Sequence, residues 1–378
     1  MSGGVIDEQP AAEDKPQRRL RRSLIVVILI ALLPATVYAK LTRNISHIEV
    51  TREDLGDDRP AKASTDALNI LVVGSDQRDD RYAGERADII MLVHLSPTRN
   101  EAAVISFPRD SLVQLPACRS GERRPGQQRR IGMINSSFSF GGIGCTWKTM
   151  EALTGIHIDH FVTVDFTGFK GMVDAIGGVD LCIPEPIRDD YVQLDLPAGW
   201  QTLQGEQALG YVRTRHSIGD RSDIGRIQRQ QDFVVAMAKK TLSGWTLFNA
   251  VRMLGFLNTA TMSITTDPAL TLGVMLDLGL ITRRLSSDQV RFVITPWRYS
   301  TSYPGRIEWL QGPAKKLFQS IAADKPLPGT KLRDTQSTVP PPSETDAKHY
   351  ADHAGPATTL TVPFPPEQPL PTTRPCHQ

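Results

Sequence analysis

Acids and arginines recur where apolar runs of this sequence begin and end. Asp76 and Arg78 follow one such run, Arg86 and Asp88 precede a second, and Arg109 follows a third. Two carboxylates are hard oxygen donors of the kind that hold Mg2+. Guanidinium groups match non-bridging phosphate oxygens through forked, charge-assisted hydrogen bonds. Phosphoryl transfer asks for little more than such charge around the phosphate and in-line access for the attacking oxygen. The pattern therefore points to chemistry on a phosphate-rich ligand without a covalent nucleophile. A later segment adds Arg226, Arg229 and Gln230 at helical i, i+3 and i+4 spacing, so they share one face. Asp223 stands where it can cap that helix or carry its first-turn acid, and a helix start with arginines favours phosphate.

These residues need a scaffold that gathers them. The apolar runs 68–73, 89–95 and 102–107 read as short strands bounded by turn residues. The connection 96–100, with Pro97 inside it, suits an antiparallel hairpin between the second and third. If the first pair is antiparallel too, the end of run one, the start of run two and the end of run three share an edge. Asp76, Arg78, Arg86, Asp88 and Arg109 would then meet there. Downstream, 146–153 reads as a helix ended by Gly155, and 160–165 alternates like a strand. Residues 166–176 have helical periodicity and stop at Gly177-Gly178, a glycine cap. A strand at 179–183, a variable loop with Asp189-Asp190-Tyr191 and a short helix at 205–211 follow. The helix starting near Arg226 continues its polar face as Phe233, Val234 and Met237, a stripe for the core or, alternatively, a greasy wall for a ligand tail. Helices over 245–257 and 268–285 and a strand at 290–294 complete the reading, which is α/β.

At 378 residues and 40% apolar content the chain is long enough for a substantial core. Its formal charge of +2 gives no ground for a nucleic-acid partner. Residues 1–23 are polar and end in arginines, and 24–39 form an uncharged, mostly apolar run near the lower end of a bilayer span. The flanking arginines keep the head cytoplasmic and place the rest outside the cell membrane. A cleaved signal peptide ending at Val37-Tyr38-Ala39 is the alternative, and either way the folded part is exported. Residues 40–66 read as a stalk, 67–323 as the catalytic domain and 324–378 as a disordered Pro-rich tail. Of the four cysteines, none forms a C-x-x-C pair, which argues against a structural zinc site. Cys118 and Cys145 are the pair expected to form a disulfide, closing an Arg/Gly-rich loop at 118–130, with free thiols as the alternative. Cys182, inside an apolar run, is expected to be a buried thiol. Nucleophile-elbow, phosphate-loop, H-E-x-x-H and dinucleotide-binding motifs are absent.

The blocks NILVVGSDQR, GERADIIML, SFPRDSLVQLP, INSSFSFGG, LTGIHIDHFVTVDFTGFKGMVDAIGGVDLCI and LQGEQALGYVRTRHSIGDRSDIGRIQRQQDF resemble, in order, the LytR–CpsA–Psr family. The resemblance implies an α/β/α sandwich with a mixed central sheet, preceded by one transmembrane helix and holding a hydrophobic pocket for a lipid. It implies a membrane-anchored, Mg2+-dependent phosphotransferase that moves a glycopolymer from a polyprenyl pyrophosphate carrier to a muramic acid hydroxyl of peptidoglycan. On that footing Asp76 and Asp88 bind Mg2+. Arg78, Arg86, Arg109, Arg213, Arg215 and Arg226 contact phosphates, and Asp223 and Gln230 support the same head-group site. Ala87 and Ile89 flank Asp88 where the family commonly has Ser or Thr, a departure that keeps the acid and the arginine. Two rival readings use the same residues differently: a polyprenyl-pyrophosphate pyrophosphatase with water as acceptor, and a non-enzymatic envelope regulator. The second would need a cytoplasmic nucleic-acid module, for which a 23-residue head is too short.

Overall fold

The computed structural model describes residues 32, 34–63, 65–75, 87–119, 126–214, 223–241, 249–286 and 289–327, the side chain of Asp223 excepted. Residues 1–44 and 45–378 are separate units. In the first, 34–44 are helical. Among the described residues no helix is long and apolar enough to cross a membrane. The span expected at 24–39 lies mostly outside them.

The second unit is organised by a seven-stranded mixed sheet. Its strands are β1 (Ser46–His47), β2 (Leu68–Ser75), β3 (Ala87–Ser96), β4 (Glu101–Ser106), β7 (His160–Asp165), β12 (Ile264–Thr266) and β13 (Val290–Ile294). They lie in the order β1-β12-β7-β2-β3-β4-β13. Strand β3 pairs antiparallel with both β2 and β4, whereas β7 runs parallel to β2 and β13 parallel to β4. The ends of β2, β4, β7 and β13 therefore lie on the same edge as the start of β3. That is the edge expected from the sequence.

Alternation along the strands sends side chains to two faces. On one, Leu71, Val73, Ile90, Leu92, Ile105 and Phe161 are almost wholly buried. Helices α2 (Ser136–Thr154) and α8 (Gln311–Ala322) cover them with Phe138, Trp147, Met150, Leu317, Phe318 and Ile321. On the other face, Ile70, Leu95 and Ala102 are buried. Val72, Val93, Val162 and Val290 are only partly covered, with Leu278 of helix α7 (Leu272–Arg283) above them. One face is a closed core; the other is half-open and apolar.

Outside the sheet, β5 (Leu112–Leu115) pairs with β6 (Arg130–Met133), and β14 (Trp297–Tyr299) with β15 (Ile307–Trp309). A further ribbon joins β8 (Val179–Ile183) to β11 (Gly199–Leu203) and β9 (Ile187–Asp189) to β10 (Leu194–Leu196). Helix α3 (Phe166–Ala175) starts at Asp165, whose carboxylate accepts from the Gly168 N–H at 2.6 Å. Helices α4 (Gly205–Arg213), α5 (Asp223–Thr241) and α6 (Ala250–Ser263) follow the ribbon.

Several expectations need correction. The proposed stalk is partly domain: β1 joins the sheet, and the short helix α1 (Arg52–Leu55) puts Leu55 into the core. Few residues of that polar segment carry the packing, so its composition concealed it. The proposed tail starts too early, because Asp324 is buried against His94 and Arg99 and Leu327 joins the core. Residues 118 and 127 bridge a hairpin rather than an open loop. Helix α2 runs through Gly142, whose positive φ of 64° kinks it without ending it. Cys118 and Cys145 form a disulfide. Cys182 is not a thiol but disulfide-bonded, to a partner outside the described residues. The alternation of β8 explains the error: Val179, Leu181 and Ile183 point inward and leave Cys182 on the outer face.

Candidate functional site

Asp88 owes its position to an irregularity in the β2–β3 ladder. Gly74 faces Ile89, but Ser75 faces Ala87, so Asp88 is the extra residue of a bulge. Bulges re-aim a side chain at a strand end. The two strands close tightly there, and a Cβ on Gly74 would lie 3.1 Å from that of Ile89. The Asp88 carboxylate turns toward Arg109, whose Nη1 donates to it. Arg109 is held by a turn beyond β4, in which the Ser111 N–H and hydroxyl both donate to the Pro108 carbonyl, at 3.0 and 2.6 Å. Trp309 Nε1 donates in turn to the Ser111 hydroxyl at 3.0 Å. A rigid, buried frame thus aims a guanidinium at the sheet edge.

Helix α5 brings the second group. Its Gln231 donates to the Ser106 hydroxyl at 2.9 Å, which ties the helix to the end of β4, three residues from Arg109. Ile224 and Ile227 pack on Trp297 and Ile307 beside the same turn, since Ser111 bridges Ile307. Arg226 and Arg229 are buried in spite of their charge. Burying a cation is costly without anionic or dipolar partners. Arg229 Nη2 donates to the Thr214 carbonyl, and Gln230 Nε2 to the Val212 carbonyl at 3.0 Å. Those two bonds fix the end of α4, where Arg213 lies over the Phe166 ring, 4.7 Å from its centroid. Thr214 also donates its hydroxyl to Asp189 of the ribbon.

This geometry joins segments far apart in sequence at one rim. The model of the LytR_cpsA_psr family matches residues 37–323. The chain belongs to the LytR_cpsA_psr family. Among its relatives is a probable cell wall biosynthesis protein LcpB of Corynebacterium glutamicum, 35% identical over 216 residues. The match takes in 54% of this chain and 49% of the relative, so the chain spans about half that protein's length. A polyisoprenyl-teichoic acid–peptidoglycan teichoic acid transferase TagU of Bacillus cereus is 26% identical over 222 residues, 57% of this chain and 68% of the relative. The solved LytR-Csp2A-Psr enzyme from Actinomyces oris shares the fold at a TM-score of 0.54, with 23% identity, 74% of this chain and 96% of that one covered.

Within the family frame, Asp88, Arg109, Arg213, Arg226 and Gln230 are brought to one end of the sheet and its flanking helices. Gln230 is spent on a backbone carbonyl, so it positions α4. Asp76, Arg78, Arg86 and Arg215, and the Asp223 side chain, lie outside the described residues. Asp76 directly follows Ser75, the last residue of β2, in the sequence. Sequence reasoning missed Asp110 and Arg306, whose carboxylate and guanidinium stand 3.9 Å apart beside Arg109. It also missed the role of Asp189, which carries no motif and binds a hydroxyl 25 residues away.

Proposed function

We propose that this chain is an exported, membrane-anchored phosphotransferase that moves a glycopolymer from a polyprenyl pyrophosphate carrier to a peptidoglycan hydroxyl. The observation that carries the reading is that Arg226 and Arg229 are buried at the end of the sheet where Arg109 meets Asp88, in a chain of this family. Arg109, Arg213 and Arg226 would bind the non-bridging oxygens of the diphosphate, while Arg229 and Gln230 hold the backbone that presents Arg213. The half-open apolar face between the sheet and α7 suits the lipid chain, whose burial is driven by area alone. The acceptor hydroxyl attacks the sugar-proximal phosphorus, and the bond to the polyprenyl phosphate breaks. The hydroxyl proton passes to the departing lipid phosphate, which takes the electron pair of the broken P–O bond. Fixed guanidinium groups stabilise the charge that builds on the equatorial oxygens.

Asp88 is a hard oxygen donor at the start of β3 and suits a divalent cation, with Arg109 standing as its counter-charge in this structure and Asp76 the second acid that the family resemblance implies. Mg2+ bound there would supply further positive charge at the diphosphate. Two disulfide-bonded positions, Cys118–Cys145 and Cys182, support an oxidising, exported location. Protease added to intact cells stripped of their wall should then degrade the domain, and survival of the domain would contradict export.

A lipid-pyrophosphate-linked sugar, supplied with and without a peptidoglycan acceptor, tests the reaction. The expected product is a linked phosphodiester formed only with acceptor. Phosphate release without linked product, even with acceptor present, would make the protein a pyrophosphatase instead.

A further inference from the structure

The cysteine count restricts the disulfide partner of Cys182. The chain has four cysteines, at positions 118, 145, 182 and 376. Cys118 and Cys145 are joined to each other, and Cys182 is disulfide-bonded to neither of them. Register fixes where that sulfur is offered. The alternation of β8 buries Val179, Leu181 and Ile183 in the second core cluster and turns Asp180 and Cys182 to the opposite side. There Cys182 stands across from Trp200 of β11 in an antiparallel pair, with Cβ atoms about 5 Å apart. Asp180 is exposed on that side, Cys182 only partly so.

The chain is long enough to deliver the remaining cysteine there. Leu327, the last described residue, is held at both its side chain and its backbone. The side chain joins the first core cluster, and the carbonyl accepts from Arg291 Nη1 at 3.3 Å. Residues 328–375 can span about 160 Å at full extension. A domain of this size is about 50 Å across. The ribbon therefore lies within reach from Leu327 by any route. Charge favours the meeting as well. Between Val179 and Leu203 the ribbon holds Asp180, Glu185, Asp189, Asp190 and Asp195 against Arg188 alone, whereas the terminal TTRPCHQ carries Arg374 and no acidic side chain.

We propose that Cys182 is joined to Cys376, so that the end of the chain is clamped to the outer face of the ribbon beside Trp200 and the Pro-rich tail is a closed loop. Within one chain no other cysteine remains. In forming the bond the two thiols lose two protons and two electrons. The disulfide of an exported thiol–disulfide oxidoreductase takes the electrons and becomes a dithiol. A bond that closes a long loop stabilises mainly by restricting the unfolded chain. It also acts locally, because the clamped ribbon carries Asp189, which accepts from the hydroxyl of Thr214, the residue after Arg213. The inference goes beyond the transfer reading and stands without it, requiring only an oxidising compartment.

Trypsin leaves each cysteine in its own peptide, 110–119, 131–148, 171–188 and 349–378, because it does not cut between Arg374 and Pro375. The full chain, alkylated in denaturant without reductant and then digested, should show 171–188 joined to 349–378 by mass spectrometry. Reductant should separate them. A 171–188 peptide joined to a second copy of itself, or alkylation of Cys376 before reduction, overturns the assignment. Cys182→Ser and Cys376→Ser should each lower the melting temperature by about 5–10 °C. The double variant should lose no more than either, since the two sulfurs form one bond; losses that add would contradict the pairing. In Cys376→Ser the amides of β8 and β11 should exchange hydrogen faster while those of β2 and β3 keep their rates. Equal exchange at the ribbon in both proteins would overturn the clamp.

Discussion

The two ends of the central sheet are both rich in charge, and they use it differently. At the end remote from the candidate site, Arg59, Lys62 and Arg99 each meet a carboxylate of the same fold. Arg59 forks onto Glu151 at 2.9 and 2.7 Å, Lys62 reaches Asp159 at 2.7 Å, and Arg99 reaches both Glu101 and Asp324, at 2.7 and 3.0 Å. Glu151 accepts besides from Trp147 Nε1 and the Ile158 N–H. At the site end, Arg109, Arg213, Arg226, Arg229 and Arg306 gather against Asp88 and Asp110. Of the other described acids nearby, Asp165 caps α3 and Asp189 accepts from a hydroxyl. Balanced charge closes the remote end by linking segments some 90 to 230 residues apart. Among the described residues the site end is the richer in arginine, which suits the anionic ligand proposed above.

If that difference is real, variants at the two ends should fail in different ways. The largest effect is expected for Glu151→Ala, which strands Arg59, an indole N–H and a backbone N–H. A loss of about 3–5 kcal/mol in denaturant unfolding is the scale for breaking a buried pair. Activity per folded molecule should be retained, and a selective loss of turnover would erase the distinction. Arg109→Ala should do the reverse. Turnover should fall roughly 10²–10³-fold, the scale for removing one preorganised charge from a transition state. Its melting temperature should change little, because the guanidinium lies at the rim, whereas a large drop would make Arg109 a structural residue.

The smallest effect concerns His94 at the remote end. Its Nδ1 stands 2.8 Å from Asn69 Oδ1, and its Nε2 lies 3.2 Å from Asp324 and 3.4 Å from Arg99. Burial lowers its pKa from the ordinary value, outweighing the upward pull of Asp324. Arg99, donating to Asp324, leaves the neutral ring as the form that fits. The unfolded chain then binds the proton more readily than the folded one, so stability is highest above the unfolded pKa of about 6.5 and falls as the pH drops below it. Thermal unfolding from pH 7.5 to 5.5 should show that decline, and His94→Gln should flatten it. An unaltered slope would assign it to other groups. Asp324 acts lower: burial raises its pKa, but bonds from Ser96 and Arg99 hold it below the usual carboxylate value. Its contribution is lost only in stronger acid.

How much of this was readable from the chain follows the range of the interactions involved. The strands bearing Asp88 and Arg109 were legible because apolar runs and a five-residue connection are local signals. The helix of Arg226 and Arg229 was legible from periodicity, and Gly177-Gly178, backbone positions with positive φ, marked the stop of α3. The bulge that aims Asp88 has no signature, since it is set by how two strands register. Long-range polar contacts were equally silent. Arg59–Glu151 and Asp189–Thr214 pair ordinary residues across 92 and 25 positions. Cys182 could have been read correctly, because period-two alternation already set it apart from Leu181 and Ile183. Arg306 had no such cue, as it depends on the β14–β15 hairpin reaching back to Asp110.

Direct binding of a short-chain polyprenyl pyrophosphate in Mg2+, followed by calorimetry on the full chain, tests the central claim most sharply. Wild type should bind it, Arg226→Ala should bind at least about tenfold more weakly, as expected when one charged contact is removed, and Arg99→Ala at the remote end should bind like wild type. Equal affinity in all three proteins would mean that the arginines at the site end do not hold the diphosphate.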